Sequence, residues 1–578
     1  MLILFSIVLF VIDSSDLIDS INLYYRHDQL RNENDPNFWF HLARKRLLER
    51  QRSIPLPNRA VKNVILFIGD GMGVSTITAA RILKGQLNGR IGEETMLDFD
   101  KFPHTALIKT YNVDQQIPDS AATATAFLSG VKNNFNTIGV SAKVKRNDNN
   151  CHSVQVNSLE SIMNWAIKAG KVAGVVTTTR VTHATPAAAY AHTQNRKWES
   201  FINESMIDGR FNNHCKDIAR QLIEDFPGNS LSVVLGGGRK GFLPNDIQDQ
   251  KEVDANNQGK LGERIDGRNL IEEWLENQRL SGLQEHEYAF INSTKGLRRI
   301  RMDRIRKLFG LFNYSHMEYD SFRDQSPDGE PSLSEMTETA IRILSKHPNG
   351  FLLLVEGGLI DRAHHIGYAS ISLLETLEFD RSVRKARRMV SKDDSLLIVS
   401  ADHSQPLIIS GYSNRGNRIN GLSTKSDQKN RPFSTLMYGT GPGHLDDQQR
   451  SELTNDTLRK SLYDLKHQYY SGISTSKSLH TGEDVALYAI GPMAHLFGGT
   501  VEQSYIAHVI SFASCIGPYH NESHCNDNQT IRGSDSTKYP IPKNPFKFNQ
   551  VKFFVILISS MIILFILAIL ILSRMKIQ

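Results

Sequence analysis

Four runs of the chain are apolar almost without interruption and rich in β-branched residues: "NVILFIGDG" from Asn63, "KVAGVVTTTRVTH" from Lys171, "GFLLLVEGG" from Gly350 and "SLLIVSADHS" from Ser395. A strand with one wet face alternates apolar and polar residues. These runs do not alternate, so each reads as a strand buried on both faces, the habit of a parallel sheet. Helical patterns lie between them, such as "SLESIMNWAIKAG" at 158–170 and "LSEMTETAIRILSKHP" at 333–348, the latter opened by Ser332 or Ser334 as a cap. The alternation predicts an α/β fold with a largely parallel central sheet and helices on both faces. Two stretches break the pattern. Residues 405–479 contain "SGYSNRGNRINGLSTKSDQKNRP" and "DDQQRSELTNDTLRKS", polar and rich in Asn, Asp and Ser, and predict a surface insertion. Residues 236–330, beginning "GGGRKGFLPND", read as a second insertion with short helices. The chain shows no internal repeat.

Polar chemistry in an open parallel sheet sits at the carboxyl ends of its strands. There the four runs deliver Asp70; Thr178, Thr179, His183 and Thr185; Glu356 and Asp361; and Asp402 and His403. One acidic strand end is a common cap. Several at one edge repel one another unless cations hold them, which points to a metal site. Imidazole with carboxylate suits zinc, and an all-oxygen set suits magnesium. In "LIDRAHHIG", Asp361 and His365 are spaced i, i+4, so a helical turn puts both on one face and turns His364 away. "SLHTGEDVALYAIGP" offers His480 as a third ligand. Asp402 and His403 with Asp70 form a second set, and Glu356 with Thr185 offers oxygens to a third, harder ion. Separately, in "IPDSAATATA" at 117–126, Pro118 and Asp119 favour a first helical turn that the alanines propagate. Ser120 then lies at a helix N-terminus, where anions bind well.

At 578 residues, 40% hydrophobic and 22% charged, the chain is ordinary globular material, enough for one large domain with insertions or for two or three domains. A formal net charge of +6 is small for this length. The main basic run, "KGLRRIRMDRIRK" at 295–307, is broken by apolar residues and reads as a solvated helix face, so no nucleic-acid binding is expected. The N-terminus "MLILFSIVLFVIDSS" is too short to span a bilayer comfortably and suits a secretory signal over about residues 1–20. Near the other end, "FFVILISSMIILFILAILIL" at 553–572 has the length of a membrane span, after a polar stalk at 526–552. It is either a single-pass helix with Arg574 and Lys576 cytoplasmic, or a tail removed on glycolipid attachment near "GSDS" at 533–536. Either way the body faces outside, at the cell surface. N-x-S/T acceptors at Asn203, Asn292, Asn313, Asn455, Asn521 and Asn528 agree with secretion. No cysteine sits in a CxxC pair, which argues against finger-type zinc. In an oxidising compartment the four make two disulfides, and proximity favours Cys515–Cys525, leaving Cys151–Cys215.

Taken together, "FIGDGMGVSTITAARILKGQ", "IPDSAATATAFLSGVK", "TTTRVTHATPAAAYAHTQNRKW", "LVEGGLIDRAHH", "VSADHS" and "HTGEDVALYAIGP" resemble the animal alkaline phosphatases, in family order, across Asn34 to Cys525. The resemblance implies a membrane-anchored phosphomonoesterase of broad specificity with Ser120 as a transiently phosphorylated nucleophile. It implies one zinc on Asp361, His365 and His480, and a second on Asp70, Asp402 and His403 with the Ser120 oxygen close by. Magnesium would take Asp70, Thr185 and Glu356, with His183 nearby. Arg196 of "QNRKW" would grip the phosphate beside Asp119. No Ser-His-Asp arrangement surrounds Ser120, so a zinc ion in place of a base must activate it. The family is dimeric. Residues 34–50, "NDPNFWFHLARKRLLER", resemble its N-terminal helix, so the 21–55 segment is expected to embrace a partner, with 405–479 forming a crown. Animal members also hold calcium in the 236–330 insertion. Phe312 and Asp328 align with its ligands, Glu252 after a one-residue shift, while Asn313 replaces a glutamate and heads an N-Y-S acceptor. The chain also departs in Arg362, where animal relatives often carry histidine and bacterial ones lysine; it is expected near the metals and phosphate, where its permanent charge would add attraction for phosphate. Rival readings are a related metallo-phosphodiesterase and a non-catalytic surface adhesion protein.

Overall fold

The four apolar runs become neighbouring parallel strands in the computed structural model, which describes residues 33–53, 60–147, 150–200, 215–253 and 259–525. The strands of the main sheet are β1 (Asn63–Gly69), β2 (His104–Lys109), β3 (Val172–Arg180), β4 (Val233–Gly237), β5 (Tyr288–Ile291), β6 (Lys307–Leu311), β7 (Phe351–Gly357), β8 (Ser395–Ala401), β9 (Val485–Ile490) and β10 (Thr500–Glu502). They form a ten-stranded sheet in the order β10-β2-β9-β8-β1-β7-β3-β4-β6-β5. Only β9 runs antiparallel to its neighbours β8 and β2. The central strands β1, β7 and β8 are buried along nearly their whole length, which is why their sequences do not alternate.

Helices cover the sheet. Helix α1 (Pro36–Ser53) packs Trp39, Ala43 and Leu47 inward. Next come α2 (Val74–Leu87), α3 (Ser120–Ser129), α4 (Leu333–Leu344), α5 (Leu359–Ile366), α6 (Ala369–Met389) and α7 (Tyr505–Ser514). Of the two candidate caps for α4, Ser332 fills the role, in a reciprocal box with Glu335. The pattern at 158–170 yields a helix only over Ile162–Lys168, because Ser161 caps it and Ser158 pairs with Val140 in an isolated bridge. Every residue of α3 is buried, and its small side chains allow that helix to pass through the interior.

The two pattern-breaking stretches are more ordered than their polarity indicates. The 236–330 stretch contributes β5 and β6 to the main sheet as well as short helices such as Leu270–Leu280. The short apolar runs "YAFI" and "KLFGL" carried that signal. The 405–479 stretch folds on itself through a three-stranded sheet of Leu407–Ile409, Leu436–Gly441 and Ser471–Ser474. Cys151–Cys215 and Cys515–Cys525 are both bonded. The signal, the stalk, the apolar segment at 553–572, and Asn203 and Asn528 lie outside the described residues. Among the described residues, no helix is long and apolar enough to cross a membrane.

Candidate active site

The strand register builds the site. Gly69 pairs with Gly357 on one side and Ala401 on the other, and Thr177 pairs with Glu356, so β1, β3, β7 and β8 end in one row. That row brings Asp70, Glu356 and Asp402 together, all completely buried. Beyond β7 the chain turns into α5, whose start is pinned by Thr178 Oγ accepting from the Gly358 and Leu359 N–H groups at 3.0 and 3.3 Å. On α5, Asp361 and His365 share a face. His364 points into the core instead, where Tyr438 OH lies 2.8 Å from Nδ1 and Ser372 Oγ 2.7 Å from Nε2.

Three imidazoles show how the site is wired. His365 Nδ1 lies 2.6 Å from the Ser478 carbonyl, His480 Nδ1 2.9 Å from the Pro118 carbonyl and His403 Nδ1 3.3 Å from the Ser404 carbonyl. A carbonyl only accepts, so each ring carries its proton on Nδ1 and presents a lone pair at Nε2. Burial holds His403 and His480 neutral, pushing them down to about 4 and about 3. Yet the lone pairs face one another and carboxylates. His365 Nε2 is 3.2 Å from His480 Nε2 and 3.1 Å from Asp361 Oδ2. His403 Nε2 is 3.1 Å from Asp402 Oδ2 and 3.4 Å from Asp70 Oδ1. Acceptors facing acceptors are reconciled by a cation between them, and an imidazole that donates its far N–H to a carbonyl is the usual support of a metal ligand. The donor sets fit zinc: Asp361, His365 and His480 at one point, Asp70, Asp402 and His403 at the next.

Beside them, Asp70, His183 and Glu356 bring ligand atoms within 4.8 Å of one another. Glu356 Oε2 accepts from the Thr177 and Thr179 hydroxyls, while Oε1 and both Asp70 oxygens are buried without a hydrogen-bond partner among the described residues. Burial pushes Glu356 up to about 7 and Asp402 up to about 6, and burial with the Asp402 charge raises Asp70. The strain of grouping these carboxylates is what a hard cation relieves, and the oxygen-rich set with the Thr185 hydroxyl suits magnesium.

Ser120 opens α3 with its Oγ 3.1 Å from His403 Nε2. Its predecessor Asp119 caps the helix through the Ala121 N–H at 3.1 Å and accepts from the Asn136 N–H at 2.8 Å. The same carboxylate holds Arg196 Nη1 at 3.0 Å, and Arg196 Nη2 donates to His183 Nε2 at 3.0 Å. The guanidinium is thus aimed across the helix N-terminus. Ser120, Arg196, Asp361, Arg362, His365 and His480 line one cleft of about 890 Å³.

Three supports were not visible in the sequence. Gln405 Nε2 donates to Asp361 Oδ1 at 2.6 Å, and Ser478 Oγ donates to Gln405 Oε1 at 3.2 Å. Asp402 Oδ1 is fixed by the Gly71 and His403 N–H groups at 2.9 and 2.8 Å. Glu199 receives Arg180 through Nε and Nη2 at 2.7 and 2.6 Å. No local motif marks them, and the Gln405–Asp361 and Gly71–Asp402 contacts join segments far apart in the chain.

The calcium set fits less well. Asn313 donates its Nδ2 to Glu330 Oε1, and its Oδ1 accepts from the Ser315 N–H at 2.9 Å. Glu330, which the alignment passed over, is the buried carboxylate here, while Asp328 is exposed and Phe312 buries its ring. The Glu252 side chain lies outside the described residues. Among the described residues, no group of three imidazole, thiolate or carboxylate ligands includes a member of this set.

A parallel α/β sheet whose strand ends gather buried carboxylates and neutral imidazoles around one serine defines a metal-dependent hydrolase. A protein-family model described as alkaline phosphatase matches residues 61–516. The chain is 44% identical over 498 residues to the tissue-nonspecific alkaline phosphatase isozyme of Gallus gallus, covering 86% of this chain and 92% of that one. It is 45% identical over 491 residues to the alkaline phosphatase of Gadus morhua, covering 84% and 98%. The chain belongs to the alkaline phosphatase family. In fold it is also similar to the alkaline phosphatase of the Antarctic bacterium TAB5, with TM-score 0.52, 22% identity, and coverage of 80% of this chain and 100% of that one. The enzyme of Thermus thermophilus gives TM-score 0.53 at 22% identity, covering 79% and 91%.

Proposed function

We propose that this chain hydrolyses phosphate monoesters through a phosphoserine at Ser120, with two zinc ions on the imidazole-carboxylate sets and one magnesium on Asp70, Thr185 and Glu356. The observation that carries this reading is the facing of three imidazole Nε2 atoms and buried carboxylates beside the Ser120 hydroxyl. When bound, the zinc pair supplies the charge that activates the serine hydroxyl, and later water, and stabilises the leaving oxygen of an in-line displacement. The chain's own residues do the rest. Arg196, held by Asp119, binds two equatorial phosphate oxygens as a planar fork. The N-terminus of α3 points its N–H groups at the same phosphate. His183 and Asp119 fix the guanidinium, so little reorganisation accompanies the transfer. Binding is to the phosphate rather than its substituent, which supports broad specificity. Two successive displacements at phosphorus give net retention.

The homodimer and cell-surface placement belong to the same reading. They are supported by the family resemblance of residues 34–50, by Leu42 and Leu48 exposed on α1, and by the sequence of the two apolar termini. Light scattering of the secreted body at micromolar concentration should return twice the chain mass.

The test of the activity is hydrolysis of 4-nitrophenyl phosphate and of bis(4-nitrophenyl) phosphate at mildly alkaline pH, before and after chelation and with zinc and magnesium returned. Fast monoester turnover, lost on chelation and restored by the metals, with the diester at least a hundredfold slower, is the expected result. A diester preference would favour the phosphodiesterase reading, and inactivity with metals bound would favour a surface protein that has kept only the fold.

A further inference from the structure

The cleft over Ser120 is lined by three cations that are not held by any carboxylate among the described residues. Lys197, Arg362 and Lys477 come from separate segments, and each is next in sequence to a residue fixed in the site. Lys197 follows Arg196. Arg362 follows Asp361 on α5. Lys477 precedes Ser478, whose carbonyl accepts a hydrogen bond from His365 Nδ1.

All three are exposed, and among the described residues none of these side chains makes a hydrogen bond or ion pair. The other cations of the cleft are committed: Arg196 to Asp119 at 3.0 Å and Arg180 to Glu199 at 2.6 Å. The remaining acid of the lining, Asp361, faces His365 and His480. No carboxylate is therefore left to neutralise the mouth. A lone surface lysine means nothing beyond solvation. Three unpaired cations lining one cleft concentrate the field there and attract anions.

We propose that Lys197, Arg362 and Lys477 form a subsite for a second anionic group of the substrate, so that esters carrying a further phosphate or carboxylate are favoured over singly anionic ones. This rests on the phosphomonoesterase reading. The subsite does not replace Arg196. It adds attraction for the part of the substrate that leaves. Each lysine acts as a point charge, whereas the Arg362 fork can take a carboxylate or phosphate through two N–H groups.

The test uses the zinc- and magnesium-loaded enzyme with phenyl phosphate and 4-carboxyphenyl phosphate, reading the ratio of their kcat/KM values. Taking the ratio of variant to wild type cancels the intrinsic reactivity of the two esters. Neutralising all three positions with Lys197→Gln, Arg362→Gln and Lys477→Gln should lower the ratio about tenfold at low salt, as three charges acting through water at about 8 Å would. About 0.5 M salt should erase most of the wild-type preference. Lys477→Glu alone, at an exposed position with no partner to lose, should lower the ratio further than Lys477→Gln and covers the case in which the triple variant misfolds. If both esters are hydrolysed and the ratio is unmoved by Lys477→Glu and the triple variant, the subsite is wrong while the phosphomonoesterase reading stands. Wild type that hydrolyses neither ester overturns both.

Discussion

Gln405 shows at the scale of one residue what the sequence could and could not convey. Asp70, Glu356, Asp361, Asp402 and His403 were legible because each closes or follows an apolar run, and His365 because it sits one helical turn beyond Asp361. Gln405 lies two positions past His403 in "DHSQP", but its target is Asp361, 44 residues back, and an amide does not announce a long-range partner. Its role yields a prediction. Gln405→Leu removes the donor that orients the Asp361 carboxylate, and loss of such support costs about tenfold to a hundredfold in metal affinity. Competition with a chromogenic zinc chelator should show one weakened zinc site per chain. Unchanged affinity would mean that Asp361 is held by other contacts. Asp119 is the second residue-scale case, since one carboxylate caps α3 and holds Arg196. Asp119→Ala should cost about 1 kcal/mol of stability through the lost cap. It should also raise the inhibition constant for inorganic phosphate severalfold while the zinc content stays intact.

Helices and strands were legible wherever a period was strong. The non-alternating runs gave the central strands, and the i, i+4 pair gave the side of α5 that carries Asp361 and His365. The short strands β5, at the edge, and β6, beside it, were missed, because four or five residues are too few to separate a strand from a loop without knowing what they pair with. One element also carries a titratable group that no local pattern marks. Glu375 on α6 is buried, accepts from the Asp320 N–H at 2.6 Å, and is pushed up to about 8 by burial and by the nearby Asp320 and Glu378 charges. A carboxyl raised in the folded state binds its proton more tightly there than in the unfolded chain. Its contribution to stability is therefore full below the ordinary carboxylate range and is lost as pH rises through about 8. The melting midpoint of the metal-loaded protein should fall between about pH 5 and about pH 8, and Glu375→Gln, which keeps the accepting oxygen, should flatten that fall. Equal slopes in the two proteins would remove Glu375 from the account.

At the scale of the whole molecule, the central sheet both stabilises the fold and delivers the site, because β1, β7 and β8 end in the carboxylates that repel one another. Folding and metal binding are then linked. Zinc at a hundred times its dissociation constant should stabilise the chain by about 2.7 kcal/mol per site, and chelation should remove that increment in a thermal melt. The 405–479 stretch is polar and folds through its own small sheet, but Gln405 and Ser478 tie it to Asp361 and His365, so chelation should lower its melting as well. The claim on which the account depends is that the phosphoryl group passes through Ser120. The most direct measurement is an acid quench of the zinc- and magnesium-loaded protein incubated with labelled inorganic phosphate at mildly acidic pH, followed by peptide mapping. The account predicts label on the peptide that contains Ser120, and none in Ser120→Ala. Turnover that persists in Ser120→Ala, or label on another residue, would contradict it.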